Sequence, residues 1–187
     1  MNHLLDTKEY EGKDGSHILL RPAEKKDAKA IIQAANDIVS AGKYIQKERV
    51  KTEAEEHAFI DEVIKQNHMY IVIEVNNEIT GIARVLLGEL EMKKHVGLFR
   101  TWIHPRTQGK GIGHFIMTYT LDWCRLRGLH KLCLTVFASN KPAYSLYKKY
   151  GFIEEGRQKE QVQLQGVYDD EIWMGYFMNN EVKQENV

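Results

Sequence analysis

The sequence has few of the residues that stabilise small secreted domains: of 187 residues, two are cysteine and three are proline. Cys124 and Cys133 cannot build a disulfide framework, and each lies in an apolar stretch where a buried, unreactive thiol is expected. No other cysteine stands near either one at metal-ligand spacing. We therefore predict neither a disulfide scaffold nor a metal site.

An excess of charge of one sign is also missing, because 26 basic and 26 acidic side chains give a net charge of zero. Nucleic-acid binding usually requires a basic excess, so no nucleic-acid partner is expected. No apolar run approaches the roughly 20 residues that span a bilayer. The N-terminus also lacks the apolar block of a signal peptide. These absences predict a cytoplasmic protein with no membrane partner.

The composition is that of an ordinary globular domain, with 43% hydrophobic and 28% charged residues in 187. That length favours one domain over two. We predict a single domain over residues 1–187, with a packed core over about 16–178. The polar ends, 1–13 and 179–187, are predicted to be tails.

The hydrophobic pattern alternates between helical and β-type periods. It predicts helices over 28–39, 52–64, 112–126 and 141–150, and strands over 17–21, 69–75, 79–87, 96–103, 131–137, 153–164 and 168–177. A strand, two helices, an antiparallel meander, a βαβ crossover and a closing hairpin follow one another in this order. This order is typical of an α+β fold with one mixed, mostly antiparallel sheet and about four flanking helices.

A glycine cluster between the strand 96–103 and the helix 112–126 is the most informative segment. Main-chain N–H groups at a helix N-terminus attract anions, and glycines let a bulky anion approach closely, so a pyrophosphate is the expected ligand. Two common phosphate motifs are excluded, because His104 and Gly111 break the P-loop pattern and His114 replaces the third glycine of the dinucleotide fingerprint. The cluster reads Gln108, Gly109, Lys110, Gly111, Ile112, Gly113.

The remaining pattern, Gln108-x-x-Gly111-x-Gly113, resembles the [Q/R]-x-x-G-x-[G/A] signature of the GNAT superfamily of acyl-CoA-dependent N-acyltransferases. Residues 136–152 are similar to its second block, V-x-x-x-N-x-x-A-x-x-L-Y-x-x-x-G-F, and residues 20–27 resemble its opening strand and first helix. The resemblance covers about 18–177 and implies a single-domain GNAT-like fold with acetyl-CoA as co-substrate.

The resemblance also implies roles for individual residues. The main chain of Trp102 and Ile103 would hold the pantetheine arm and polarise the thioester carbonyl, and the six residues 108–113 would bind the pyrophosphate. Asn140 would contact the arm of the cofactor, and Tyr147 would protonate the departing thiolate. Asn140 also fits a helix N-cap, and Tyr147 also fits a core position. For Lys110 we expect the side chain to be solvated and the main chain to bind the pyrophosphate.

The implied activity is transfer of an acetyl group from acetyl-CoA to a primary amine, by direct attack in a ternary complex. A small-molecule acceptor is favoured; the alternatives are a protein N-terminus, as in the ribosomal-protein acetylating relatives, and a non-catalytic acyl-CoA-binding module. Thr135 and Leu98 stand where some relatives carry a glutamate, so no general base is implied. The candidates are a water chain or one of four side chains: His95, His104, Glu89 and Glu91.

Two segments are expected to select the acceptor: 36–51, which contains Lys43 and Tyr44, and the hairpin 157–170. The sequence does not choose between a monomer and a homodimer.

Overall fold

The protein is described by a computed structural model over residues 7–41 and 49–178, which form eight strands and four α-helices. In chain order they are β1 (Lys8–Glu11), β2 (His17–Pro22), α1 (Ala28–Ala41), α2 (Glu53–Lys65), β3 (Met69–Val75), β4 (Glu78–Leu87), β5 (Val96–Ile103), α3 (Ile112–Leu126), β6 (Lys131–Phe137), α4 (Lys141–Lys149), β7 (Ile153–Leu164) and β8 (Val167–Phe177).

The eight strands form one sheet in the order β1-β2-β3-β4-β5-β6-β8-β7. Strands β5 and β6 pair in parallel, whereas β1–β2, β2–β3, β3–β4, β6–β8 and β7–β8 are antiparallel pairs. The predicted α+β class, the mixed and mostly antiparallel sheet and the four helices are therefore confirmed. Of the segment 36–51, residues 42–48 lie outside the described residues, and so does the C-terminal tail 179–187.

The chain divides into two compact units. Among the described residues, the first contains those up to Leu86 together with Arg100–Tyr119. The second contains Leu87–Phe99 and the described residues from Thr120 onwards. The assignment of a single domain over 1–187 remains a prediction.

The core of the first unit lies where α1 and α2 pack on β3 and β4. Amphipathic spacing places apolar residues of both helices on one face, and burial of such a face stabilises helices that would be marginal alone. Helix α2 begins at a capping box, in which the Glu55 N–H donates to Thr52 Oγ1 and the Thr52 N–H donates to the Glu55 carboxylate, at 3.3 and 2.7 Å. The buried cluster contains Ala23, Ile31, Ile60, Val63, Tyr70, Val72 and Ile82, with Phe59, Ile79 and Trp102 packed against it.

The N-terminal segment corrects one prediction, because part of the expected tail 1–13 is strand β1, paired with β2. Its turn is closed by the Gly12 N–H, which donates to the Ser16 carbonyl at 2.8 Å, and by Gly15 at φ 78°. Tyr10 stacks on Phe115, with ring centroids 4.3 Å apart. The segment resembles a tail in sequence because charged residues surround Tyr10, and charges are common on edge strands.

A buried ion-pair network joins the end of β2 to the turn before α1. Arg21 donates to both carboxylate oxygens of Asp27, at 2.7 and 2.8 Å, and also pairs with Glu74. The Asp27 side chain is 5% exposed. Burial alone would raise the pKa of Asp27, but hydrogen bonds from Arg21 and the Glu24 N–H outweigh it and hold that pKa below its usual value.

We expect Asp27→Ala to lower the free energy of unfolding by about 2 to 3 kcal/mol at pH 7, because it leaves a buried guanidinium with one partner fewer. The contribution of Asp27 is present above its unfolded pKa, near ~3.9, and is lost as pH falls through its lower folded pKa. Urea denaturation of both proteins at pH 7 and pH 2 should therefore show a difference that shrinks in acid.

The control is Asp61→Ala, which breaks an exposed pair with Lys25 in which both side chains are more than half exposed. Such pairs contribute at most about 1 kcal/mol. Equal destabilisation by the two substitutions would contradict a structural role for the Arg21–Asp27 network.

Candidate functional site

The glycine loop 108–113 follows β5 and a turn of 3-10 helix at Pro105–Thr107, and it leads into α3. Gly109 and Gly111 have φ of 82° and 87°, in the left-handed region that side chains other than glycine rarely adopt. Building a Cβ on Gly109 meets no heavy atom within 4 Å, so space above it is open. The two glycines are therefore needed for the backbone path of the loop.

The loop presents donors without acceptors. Among the described residues, the N–H groups of Gly109, Lys110 and Gly111 donate no hydrogen bond. The first N–H groups of α3 likewise have no intrahelical acceptor, and they carry the positive end of the helix dipole. An anion with several oxygens satisfies such donors, so the loop fits the pyrophosphate of acetyl-CoA.

The Lys110 side chain, which we expected to be solvated, is partly exposed and takes part in an ion pair. Its ammonium forms an ion pair with Asp14 in the β1–β2 turn, and the Lys110 side chain is 21% exposed. The Lys13 N–H donates to the Lys110 carbonyl at 3.2 Å, and the aliphatic part of Lys13 lies 3.7 Å from the position of a Cβ on Gly111. The β1–β2 turn thus supports the loop, a contact that no sequence motif indicated.

The end of β5 carries the two residues predicted to bind the pantetheine arm through their main chain. Parallel pairing with β6 covers Val96, Gly97 and Leu98, and β5 continues beyond this stretch to Ile103. The carbonyl of Ile103 accepts a hydrogen bond from the Gln108 side chain at 3.3 Å. Gln108 therefore connects the glycine loop to the last residue of β5.

His104, one of the candidate bases, has a structural role. Its Nδ1 accepts the Arg106 N–H at 3.2 Å, which caps the 3-10 turn, and its Nε2 lies 3.6 Å from the Asp37 carboxylate. Both ring nitrogens of His104 therefore face groups of the protein. Its role as a base stays untested.

Helix α4 holds the other two predicted site residues, in the second unit. Asn140 is its N-cap, and the side chain of Asn140 accepts the Ala143 N–H at 3.3 Å, which confirms the capping role. Tyr147 is 8% exposed, and its ring packs against Phe99 and Phe152, with centroids 6.4 and 5.7 Å away. The phenol is thus held in a fixed position by aromatic packing.

The remaining candidate bases lie on or near the segment before β5, in the second unit. Glu89 and Glu91 are exposed, and Glu91 pairs with Lys94. The His95 ring lies 5.9 Å from that of His130. None of these contacts identifies a base, so the assignment stays open.

The hairpin 157–170, predicted to select the acceptor, contains several ion pairs. Asp170 pairs with Lys159 and Arg157 at 3.1 and 3.4 Å and accepts the Glu160 N–H at 3.0 Å. The pKa of Asp170 is lowered first by that N–H and then by the two cations. A register shift between Gln158 and Val162 bends β7 here. The hairpin therefore carries basic and acidic side chains side by side.

Cys124 is buried and Cys133 is half-buried. Burial raises the pKa of the Cys124 thiol to about 12 and also raises that of Cys133, so neither is poised to form a thiolate. Within 7–41 and 49–178, no three His, Cys, Asp or Glu side chains are grouped so that they could hold a metal ion.

None of the described helices is long and apolar enough to span a bilayer.

Several known proteins are similar to this chain. A spermidine N(1)-acetyltransferase of Escherichia coli is 29% identical over 164 residues, which is 87% of each chain. An L-amino acid N-acetyltransferase of Escherichia coli is 29% identical over 106 residues, covering 56% of this chain and 65% of that one. A shorter match, 34% identical over 74 residues, covers 40% of this chain and 46% of a ribosomal protein bS18-alanine N-acetyltransferase from Salmonella typhimurium.

The fold is also shared with solved structures. The structure of a GNAT superfamily phosphinothricin acetyltransferase from Sinorhizobium meliloti, in complex with acetyl-CoA, has a TM-score of 0.77 at 19% identity and covers 84% of this chain and 86% of that one. A profile of the acetyltransferase (GNAT) family matches residues 32–152. The chain therefore belongs to the acetyltransferase (GNAT) family, whose co-substrate is acetyl-CoA, as its sequence motifs predicted.

Proposed function

We propose that this protein transfers the acetyl group of acetyl-CoA to a primary amine of a small molecule, by direct attack in a ternary complex. The observation that carries the proposal is the glycine loop 108–113. The N–H groups of Gly109, Lys110 and Gly111, which have no acceptor within the described part of the chain, suit a pyrophosphate, as do the two left-handed glycines. Gln108 links the loop to Ile103, where the thioester is expected.

The chemistry needs few groups from the protein. The main chain near Trp102 and Ile103 polarises the thioester carbonyl, and the neutral amine attacks the carbonyl carbon. The carbon–sulfur bond then breaks, and the departing thiolate takes a proton from the hydroxyl of Tyr147. The attacking nitrogen, which keeps the acetyl group, loses one proton to a base that is not assigned. The products are an N-acetyl amine and CoA.

Asn140 is proposed to serve two purposes. Its side chain caps α4, and it contacts the arm of the cofactor through a group that the cap leaves available. An amide side chain has one acceptor oxygen and two N–H donors, and the cap uses only the oxygen, so both roles are compatible.

The small-molecule acceptor is supported by the extent of the similarities. The spermidine enzyme aligns over 87% of this chain, whereas the ribosomal-protein enzyme aligns over 40%. By the family resemblance, Thr135 also stands where the ribosomal-protein acetylating relatives carry a glutamate. A net charge of zero also provides no long-range field toward a polyanionic ribosome.

The acceptor class is tested by incubating the protein with acetyl-CoA and either a panel of small amines or a panel of peptides with free N-termini. Release of CoA is measured in both arms. We expect turnover with small amines and at most trace turnover with peptides. Acetylation confined to the peptides would overturn the small-molecule proposal and favour the second candidate, a protein N-terminus.

A further inference from the structure

The face of the first unit that carries α2 also holds two buried donors with no acceptor. The Nε of Arg84, on β4, and the indole Nε1 of Trp102, on β5, are inaccessible to solvent and have no hydrogen-bond partner among the described residues. A buried N–H without an acceptor costs about 1–3 kcal/mol, and more in a charged group. An acceptor supplied by a ligand would remove this cost.

Among the residues that the structure describes, no carboxylate forms an ion pair with Arg84. Glu56 is 2% exposed, and its two oxygens are used by the Tyr70 hydroxyl at 2.5 Å and the Lys51 ammonium at 3.3 Å. Arg84 lies over the Phe59 ring, 5.3 Å from its centroid, and not against a carboxylate. The Glu56 carboxylate therefore acts on Arg84 electrostatically, without a hydrogen bond between them.

The next carboxylate on this face, that of Asp27, does not pair with Arg84. Asp27 influences Tyr70 electrostatically, but both of its oxygens accept hydrogen bonds from Arg21. Burial lowers the pKa of Arg84, and electrostatic interactions with Tyr70 and Glu56 only partly oppose that effect. An anionic ligand would stabilise the Arg84 guanidinium, whereas a polyamine would add further positive charge beside it.

We propose that Arg84 and the indole N–H of Trp102 bind a carboxylate of the acceptor, so that the substrates are amines that carry a carboxylate, such as amino acids. This inference rests on the proposed acetyl transfer. A guanidinium presents its donors in a planar fork that matches a carboxylate, and an indole N–H can only donate. The main chain of Trp102 is also proposed to hold the thioester, and an α-amino group lies close to its own carboxylate.

The test compares acetylation of L-leucine, L-methionine, L-phenylalanine and L-glutamine with acetylation of their C-terminal amides and of spermidine. For the wild-type protein, kcat/KM should be about tenfold or more higher for the acids than for the amides, since a charge-assisted pair is lost in the amide. Arg84→Met should bring this ratio close to one, mainly through KM. Arg84→Lys should leave an intermediate ratio, because it keeps the charge but not the fork.

The ratio of acid to amide is measured within one protein, so a smaller folded fraction in Arg84→Met does not affect it. Arg125→Met removes an exposed guanidinium that pairs with Asp122, and it should keep the wild-type ratio. Two results would overturn the inference. In one, the wild-type protein acetylates the amides or spermidine as efficiently as the acids. In the other, Arg84→Met leaves the ratio of acid to amide unchanged.

Failure of the proposed acetyl transfer would give a different result, with no CoA release from any amine. In that case, calorimetric titration of L-methionine and L-methioninamide into the CoA-bound protein decides the inference. A carboxylate site would be supported if the protein binds the acid more strongly than the amide and if this difference is lost in Arg84→Met. Equal binding of the two compounds would refute it.

Discussion

Replacing Gly111 by glutamate should reduce the affinity for acetyl-CoA by at least about 100-fold, to below detection in calorimetry. The φ of Gly111 is 87°, where a side chain adds strain of the order of 1–3 kcal/mol. The new side chain would also place a negative charge beside the N–H groups that are proposed to bind the pyrophosphate. Strain and repulsion act in the same direction, and together they correspond to several kcal/mol.

The matched control is Gly128→Glu. Gly128 also has a left-handed backbone, with φ 71°, and a Cβ built there meets nothing within 4 Å. It follows α3 at the end opposite the glycine loop, so the same strain and charge are introduced away from the proposed anion site. Gly128→Glu should bind CoA with wild-type affinity. Equal affinity of the Gly111→Glu and wild-type proteins would refute the assignment of the loop.

Tyr147→Phe should lower kcat by about 100-fold or more, while the affinity for acetyl-CoA stays within about twofold. A positioned general acid contributes roughly 10²–10⁴-fold to a rate. Phenylalanine preserves the ring that packs between Phe99 and Phe152, so only the hydroxyl is lost from a fixed aromatic framework. The measurements are CoA release under saturating substrates and calorimetry with CoA.

Tyr144→Phe is the control on the same helix. Its hydroxyl donates to Glu154 at 3.2 Å, and the side chain is not buried. This substitution should leave kcat within about twofold of wild type. If Tyr147→Phe also turns over at the wild-type rate, Tyr147 is a core residue only, and water protonates the thiolate.

Local sequence signals predicted most of the fold because each depends on neighbouring residues. The turn Asn76-Asn77 and the turn Gln165-Gly166 were predicted from residue type, and each has two consecutive residues with positive φ. The N-cap role of Asn140 was also predicted from its residue type and position. Strand β1 was missed, because a short charged edge strand has no apolar alternation strong enough to separate it from a tail.

The sequence by itself determined the order of the helices and of every strand after β1, the glycine loop and the membership of the GNAT family. Periodicity, turn chemistry and motif spacing are properties of contiguous residues. Only the tertiary structure decided which distant charges meet. Lys110 and Asp14 are 96 positions apart, so their ion pair depends on the β1–β2 turn reaching the loop. The unpaired donors of Arg84 and Trp102 are likewise known only once burial and partners are known, because a donor lacks an acceptor only in a packed environment from which water is excluded.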